Sequence, residues 1–268
     1  MTNAEKALEL HAEWKGKIST DSKVPVKTRE DLALAYTPGV AEPCKVIAND
    51  KSAAYKYTIK QNTIAVVSDG SAVLGLGNIG PDAAMPVMEG KAVLFKEFGG
   101  VNAFPICIAT QDVDEIVKTV QMLEPTFGGI NLEDISAPRC FEVERRLRET
   151  MNIPVFHDDQ HGTAIIVLAG IINALKLTCK KKEDCRIVVN GSGAAGIAIS
   201  KLLLSYGFRT LTLCDSKGII SSKSERLNWI KKEMLEVTNL EDKSGSLADA
   251  LVGADIFIGV SAPGVVTK

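Results

Sequence analysis

The sequence predicts an α/β protein of two domains, the second built on a doubly wound parallel sheet. Three observations carry that expectation. β-branched apolar runs such as Thr63–Ser68 and Cys185–Asn190 alternate with segments of helical period. Gly191-Ser-Gly193-Ala194-Ala195-Gly196 stands directly between such a strand and a helix. Between the halves, Phe156-His-Asp-Asp-Gln-His-Gly-Thr163 holds two of the three histidines, two adjacent acids and a glycine. That stretch reads as the joint, with one domain over residues 1–160 and the other over 161–268.

A chain of 268 residues has room for two such domains. Its 31 basic and 33 acidic residues interleave to a net charge of −2, which gives no electrostatic reason to expect nucleic acid or an anionic membrane as partner. The longest apolar run, Ala164–Ile172, is about half of the roughly 20 residues a membrane span needs. The polar N-terminus lacks the basic and apolar regions of a signal peptide. Six cysteines show no CxxC pairing, so reduced thiols in a cytoplasmic enzyme are expected rather than disulfides or a thiolate metal site.

In chain order, Ala4, Ala7, Leu8, His11 and Trp14 predict an amphipathic helix over residues 3–15. Thr28-Arg-Glu-Asp31 predicts a capping box that opens a helix through Leu34. Proline and glycine force a turn at Ala35-Tyr36-Thr37-Pro38-Gly39-Val40, from which Tyr36 leans outward or packs on the domain edge. After the strand at Thr63–Ser68, Gly75-Leu-Gly-Asn-Ile-Gly80 matches GxGxxG but lacks a clean strand before it and meets Pro81 at once. It reads either as a loop lining a small-molecule site or as a plain connection.

A helix over Pro86–Phe98 would put Val87, Met88, Lys91, Leu94, Phe95 and Phe98 on one face. Lys91 interrupts that apolar stripe. A desolvated ammonium loses its proton more easily and can serve as a general base. A lysine whose stem lies on the core while its head reaches water fits the spacing equally well.

Asn102–Ala109 predicts a strand, Asp112 caps a helix to Glu124, and a short strand near Gly129–Ile130 leads into Glu133-Asp134. Pro138 opens a helix through about Thr150, and Ile153–Phe156 forms the next strand, followed by Asp158-Asp159. Both acid pairs thus fall at the carboxyl ends of strands one βα unit apart, where open α/β sheets bind ligands. Glu133, Asp134 and Asp159 would suit a hard cation, Mg²⁺ or Mn²⁺. The other reading has these acids capping the helices that follow, as Asp158 would do.

An apolar helix over Thr163–Leu177 and a basic turn, Lys180–Lys182, precede the strand Cys185–Asn190. Gly191, Gly193, Ala194, Ala195 and Gly196 then form the pyrophosphate turn of a Rossmann-like domain, with helix N-terminal amides facing the phosphates. Asp215 ends the next strand, 24 residues beyond Gly191, near the offset at which an acid binds the adenosine ribose. It favours NAD over NADP, moderated by Lys217. Only about half of the second βαβ unit follows before Lys268, so the expected nucleotide-binding domain is partial.

Taken together, the blocks resemble the malic enzyme family in its short bacterial form. They are Tyr36-Thr-Pro-Gly-Val40, Val73-Leu-Gly-Leu-Gly-Asn-Ile-Gly80, Met88-Glu-Gly-Lys-Ala92, Asn131-Leu-Glu-Asp-Ile135, His157–Thr163, Gly191–Gly196, Asp215-Ser-Lys-Gly218 and Ser261-Ala-Pro-Gly-Val265. The resemblance implies oxidative decarboxylation of L-malate to pyruvate and CO₂ with NAD or NADP and Mg²⁺ or Mn²⁺. It implies Lys91 as general base, Tyr36 as general acid, and Glu133, Asp134 and Asp159 as metal ligands. It also implies a homodimer with the site near the interface.

Two departures qualify it. Ala72 stands where longer members carry a substrate-binding arginine, and the family's Asn-Pro segment would lie beyond Lys268. The alternatives are an inactive dinucleotide- or dicarboxylate-binding module, or a relative that performs malolactic conversion or oxaloacetate decarboxylation alone.

Overall fold

The computed structural model describes residues 2–266; Met1, Thr267 and Lys268 lie outside the described residues. The chain forms two compact units, residues 1–134 with 146–155, and residues 135–145 with 156–268.

The N-terminal stretch holds four helices, α1 (Asn3–Trp14), α2 (Arg29–Ala35), α3 (Ala41–Asn49) and α4 (Ala54–Tyr57). Capping boxes at Thr2/Glu5 and Thr28/Asp31 close the free amides of α1 and α2. None of the four buries a residue, so the expected amphipathic α1 forms with its apolar side chains exposed.

The first sheet then alternates with helices: β1 (Thr63–Ser68), α5 (Pro81–Gly99), β2 (Asn102–Cys107), α6 (Val113–Leu123), β3 (Gly129–Leu132), α7 (Arg139–Thr150) and β4 (Val155–His157). The sheet order is β2-β1-β3-β4, with β2 and β3 both parallel to β1. The chain steps from β1 to β2 on one side and returns to β3 on the other. The carboxyl end of β1 is therefore a topological switch point, where crossovers diverge and leave a crevice.

Helix α5 begins at Pro81, five residues earlier than the spacing predicts. Pro81, which weakened the GxGxxG match before it, opens the helix: at the first position its missing N–H costs nothing and its φ is already helical. The buried face also differs from the predicted stripe. Ala84, Met88 and Ala92, four residues apart, are buried, and Met88 and Ala92 pack with Val66 and Ala103, while Leu94 is exposed and Phe98 is 86% exposed. The helix ends at Gly100, in the left-handed region at φ 64°.

The second sheet comprises β5 (Arg186–Asn190), β6 (Thr210–Asp215), β7 (Gly218–Ile219) and β8 (Ile256–Gly259), ordered β7-β6-β5-β8. Strands β6 and β8 both run parallel to β5, and β7 folds back antiparallel on β6. Its helices are α8 (Asp158–Thr178), α9 (Ala194–Tyr206), α10 (Trp229–Leu235) and α11 (Leu247–Leu251). The carboxyl end of β5 is again a switch point, with β6 on one side and β8 on the other.

Helix α8 starts at Asp158 rather than Thr163. The histidine- and acid-rich stretch, expected as the joint between the halves, is thus the end of β4 and the first turns of α8. Asp158 lies inside the helix, and the N-cap is His157, which makes no side-chain cap bond. Helix α8 packs along α9 but leaves Ile165, Ile166 and Leu177 exposed. It is 21 residues long and contains an 18-residue stretch of mean hydropathy 1.5, which makes it the one helix among the described residues long and apolar enough to cross a membrane. Length and composition alone are weak evidence for that.

Candidate functional site

The first unit builds its site at the β1 switch point. Beyond β1, Asp69 Oδ1 accepts from the Ser71 amide at 3.0 Å and the Ser71 hydroxyl at 2.5 Å, which closes a tight turn. Gly70 sits at φ 69°, and its carbonyl accepts from the Ile79 and Gly80 amides at 3.1 Å. A side chain there would meet the Gly80 carbonyl oxygen at 2.1 Å, so only glycine lets the 71–79 loop close on the start of α5. The expected loop at 75–80 is this connection; it leads into α5 and so aims that helix past the end of β1.

Two residues after β3, Asp134 also adopts a left-handed backbone, φ 55°. Its carbonyl accepts from the Ala72 amide at 2.9 Å, and the Glu133 amide donates to Val67 at 2.9 Å. The ends of β1 and β3 are thereby tied together. Lys91, projecting from α5, places Nζ 3.1 Å from Glu133 Oε1, with the two side chains 20% and 7% exposed. Glu133 Oε2 accepts from Asn131 Nδ2 at 2.8 Å. The Lys91 head is therefore held beside an acid in a mostly buried ion pair. Asn131 lies two residues before Glu133, on the same strand face by period two. It was findable in the sequence and was missed.

Tyr36 stands at the C-terminal end of α2, 67% exposed, and no hydrogen bond among the described residues gathers it with Lys91 and Glu133. Lys60, which the sequence reading passed over, is buried and donates to the Phe127 carbonyl at 2.8 Å and to that of Glu124. Burial pulls its pKa down, with Glu124 opposing. Its bonds to carbonyls mark a structural lysine.

In the second unit, Asp159 occupies the first turn of α8, where a carboxylate also favours the positive end of the helix dipole. His157 Nε2 is 3.6 Å from Asp159 Oδ2. Burial lowers the His157 pKa, with the Asp159 and Glu144 charges pulling the other way. The His161 ring meets Glu144 Oε1 at 2.7 Å, and the His157 amide donates to that same oxygen at 3.3 Å. Glu144 gave no signal among the many charges of α7. Burial first, then Asp159, pushes the Cys140 thiol up to about 12, which makes it an inert core thiol.

The nucleotide half follows the motif. At the β5 switch point a side chain on Gly196 would meet the Gly191 carbonyl at 1.7 Å, so the turn closes only with glycine. Gly193 is the N-cap of α9, with Ala194, Ala195 and Gly196 forming its first turn and no side chain covering their amides. Beside it lies a cavity of about 330 Å³ lined by Asn190, Asp215, Ser216, Lys217, Ser246 and Ser261, among others. Asp215 Oδ1 accepts from the Lys217 amide at 2.8 Å, and Oδ2 from Lys231 Nζ at 2.6 Å. Burial alone would raise the Asp215 pKa; Lys231 and the Lys217 amide outweigh it and hold the carboxyl below its usual range. Lys231, on α10, was not anticipated, because its distance in sequence carried no signal.

Comparison with known proteins agrees with both halves. Residues 15–112 and 109–148 match the model of the malic enzyme N-terminal domain, and residues 160–268 that of the malic enzyme NAD binding domain. The chain is 59% identical over 269 residues to the bifunctional malic/malolactic enzyme of Bacillus subtilis, covering 100% of this chain and 66% of that one. It is 54% identical to the NADP-dependent malic enzyme of Haemophilus influenzae, covering 94% of this chain and 34% of that one. The crystal structure of the NAD-dependent malic enzyme of Thermotoga maritima superposes with a TM-score of 0.95 at 54% identity, over 97% of this chain and 70% of that one. The chain thus spans about two thirds or less of the curated relatives it matches.

Proposed function

We infer the activity from one premise: this chain belongs to the malic enzyme family. The protein oxidises L-malate at C2 and releases CO₂ to give pyruvate, reducing a nicotinamide dinucleotide. The observation that carries this reading is the mostly buried Lys91–Glu133 pair at the β1 switch point, 3.1 Å between Nζ and Oε1. Lys91 Nζ, in its uncharged form, would take the proton from the C2 hydroxyl, and a bound nicotinamide would accept the hydride. Glu133, held in turn by Asn131, keeps that nitrogen in place. The Tyr36 hydroxyl then protonates C3 of the enolpyruvate.

Glu133, Asp134 and Asp159 are proposed as the ligands of a divalent cation. Glu133 and Asp134 directly follow β3, and Asp159 opens the helix after β4, the next strand of the sheet. An all-carboxylate set is hard and oxygen-only, which fits Mg²⁺ or Mn²⁺ and not zinc. Such a cation supplies Lewis acidity at the C2 oxygen and during loss of CO₂.

For the nucleotide we propose NAD over NADP, because Asp215 stays ionised where a 2′-phosphate would approach. Its counterion Lys231 tempers the preference. A homodimer accounts for the uncovered face of α1–α4, where Leu8, Trp14, Leu34 and Tyr36 are exposed. A mass of twice the monomer in light scattering is expected; a monomer at micromolar concentration would argue against it.

The name of the Bacillus relative, a bifunctional malic/malolactic enzyme, favours one second reading, malolactic conversion. Lactate formed without net NADH would identify it. For the main reading, Lys91→Ala abolishes malate-dependent NADH formation, and near-normal turnover would remove Lys91 as the base.

A further inference from the structure

We propose that His157 is a positioning residue, whose Nε2–H donates to Asp159 and fixes which carboxylate oxygen faces a bound cation. The proposal rests on the assignment of Asp159 as a ligand. The His157 ring is 0% exposed, and neither Nδ1 nor Nε2 has a hydrogen-bond partner. An imidazole always carries at least one N–H, and a buried donor without an acceptor is costly enough to call for an explanation.

Asp159 Oδ2 lies 3.6 Å from Nε2, a few tenths of an ångström beyond a hydrogen bond. The histidine backbone is anchored where it stands, since its amide donates to Glu144 Oε1 at 3.3 Å. Glu144 is itself held by His161 at 2.7 Å. His157 is the N-cap of α8 and Asp159 its second residue, so both belong to one rigid junction and only the carboxylate needs to turn. Once Oδ2 is engaged by Nε2–H, Oδ1 is left for the cation. Partners of this kind orient a ligand and raise metal affinity.

The experiment is a Mn²⁺ titration of the full chain, with free Mn²⁺ read from its electron paramagnetic resonance signal. His157→Gln puts an amide nitrogen near the position of Nε2, His157→Asn near that of Nδ1, and His157→Leu removes the donor. The glutamine variant should bind Mn²⁺ within about threefold of the parent, and the asparagine and leucine variants about 10- to 100-fold more weakly. If the leucine variant does not fold, the glutamine–asparagine contrast still decides. Parent-like affinity in either weak variant, or a glutamine variant as weak as asparagine, overturns the proposal. Asp159→Asn is the separate control: parent-like Mn²⁺ binding there would overturn the ligand assignment itself. Loss of binding in that control alone overturns only the role of His157.

Discussion

Lys91 and Tyr36 share one proposed reaction but sit in opposite surroundings. Lys91 is enclosed and paired with Glu133, whereas Tyr36 is largely exposed. Glu133→Gln therefore removes the charge that holds Nζ in place, and kcat should fall on the order of 100-fold or more, in the range of losses from disturbed acid–base groups. Tyr36→Phe should suppress pyruvate formation; unchanged output would show that another group supplies the C3 proton. At Asp215 the charge argument predicts cofactor choice. Asp215→Ala should shift the ratio of kcat/KM values toward NADP by about tenfold, the equivalent of 1.4 kcal/mol of relieved repulsion.

Asp215 also carries a pH dependence. Its folded pKa lies below the unfolded value, so its pairing stabilises the fold fully above about pH 4 and is lost as pH falls through the folded pKa. The stability difference between parent and Lys231→Met should accordingly shrink as urea midpoints are taken from pH 5 toward pH 2. A difference that stays constant would remove the pair as its source.

Among the elements, α5 matters most, because it carries Lys91 and its start is fixed by the Gly70 turn. Met88 anchors its buried face against Val66 and Ala103. Met88→Ala should cost about 2–5 kcal/mol in denaturant unfolding, the usual range for emptying such a site. In the second unit, Gly196→Ala should abolish nucleotide binding, measured by fluorescence titration, since its methyl would overlap the Gly191 carbonyl.

Much of this was legible in the sequence. β-branched runs marked β1 and β5 because buried parallel strands read as continuous apolar segments. The glycine turn at 191–196 was recognisable because it lay between a strand and a helix. The burial of α5 was misjudged, since spacing gives a helical face but not which part of it the sheet covers. Phe98 lies in the last turn of α5 and stays exposed. The start of α8 was misplaced because two acids and a histidine look like a loop, although acids favour a helix N-terminus. Glu144 and Lys231 were invisible, because their partners lie 17 and 16 residues away across tertiary contacts.

At the scale of the whole molecule, each unit gathers its candidate site residues at the carboxyl ends of parallel strands, where the strand order reverses. In the first unit that position holds Lys91, Glu133 and Asp134; in the second it holds the phosphate turn and Asp215. The chain belongs to the malic enzyme family across both halves, and it spans 66% of the length of its Bacillus relative. The most direct measurement is therefore made on the full-length protein that contains this sequence. L-malate, NAD and Mn²⁺ are supplied, and NADH and pyruvate are quantified together. The account predicts that both appear in equal amounts and that neither forms when the cation is chelated. Complete absence of NADH from malate, in a folded full-length protein supplied with Mn²⁺ and either nucleotide, would contradict it.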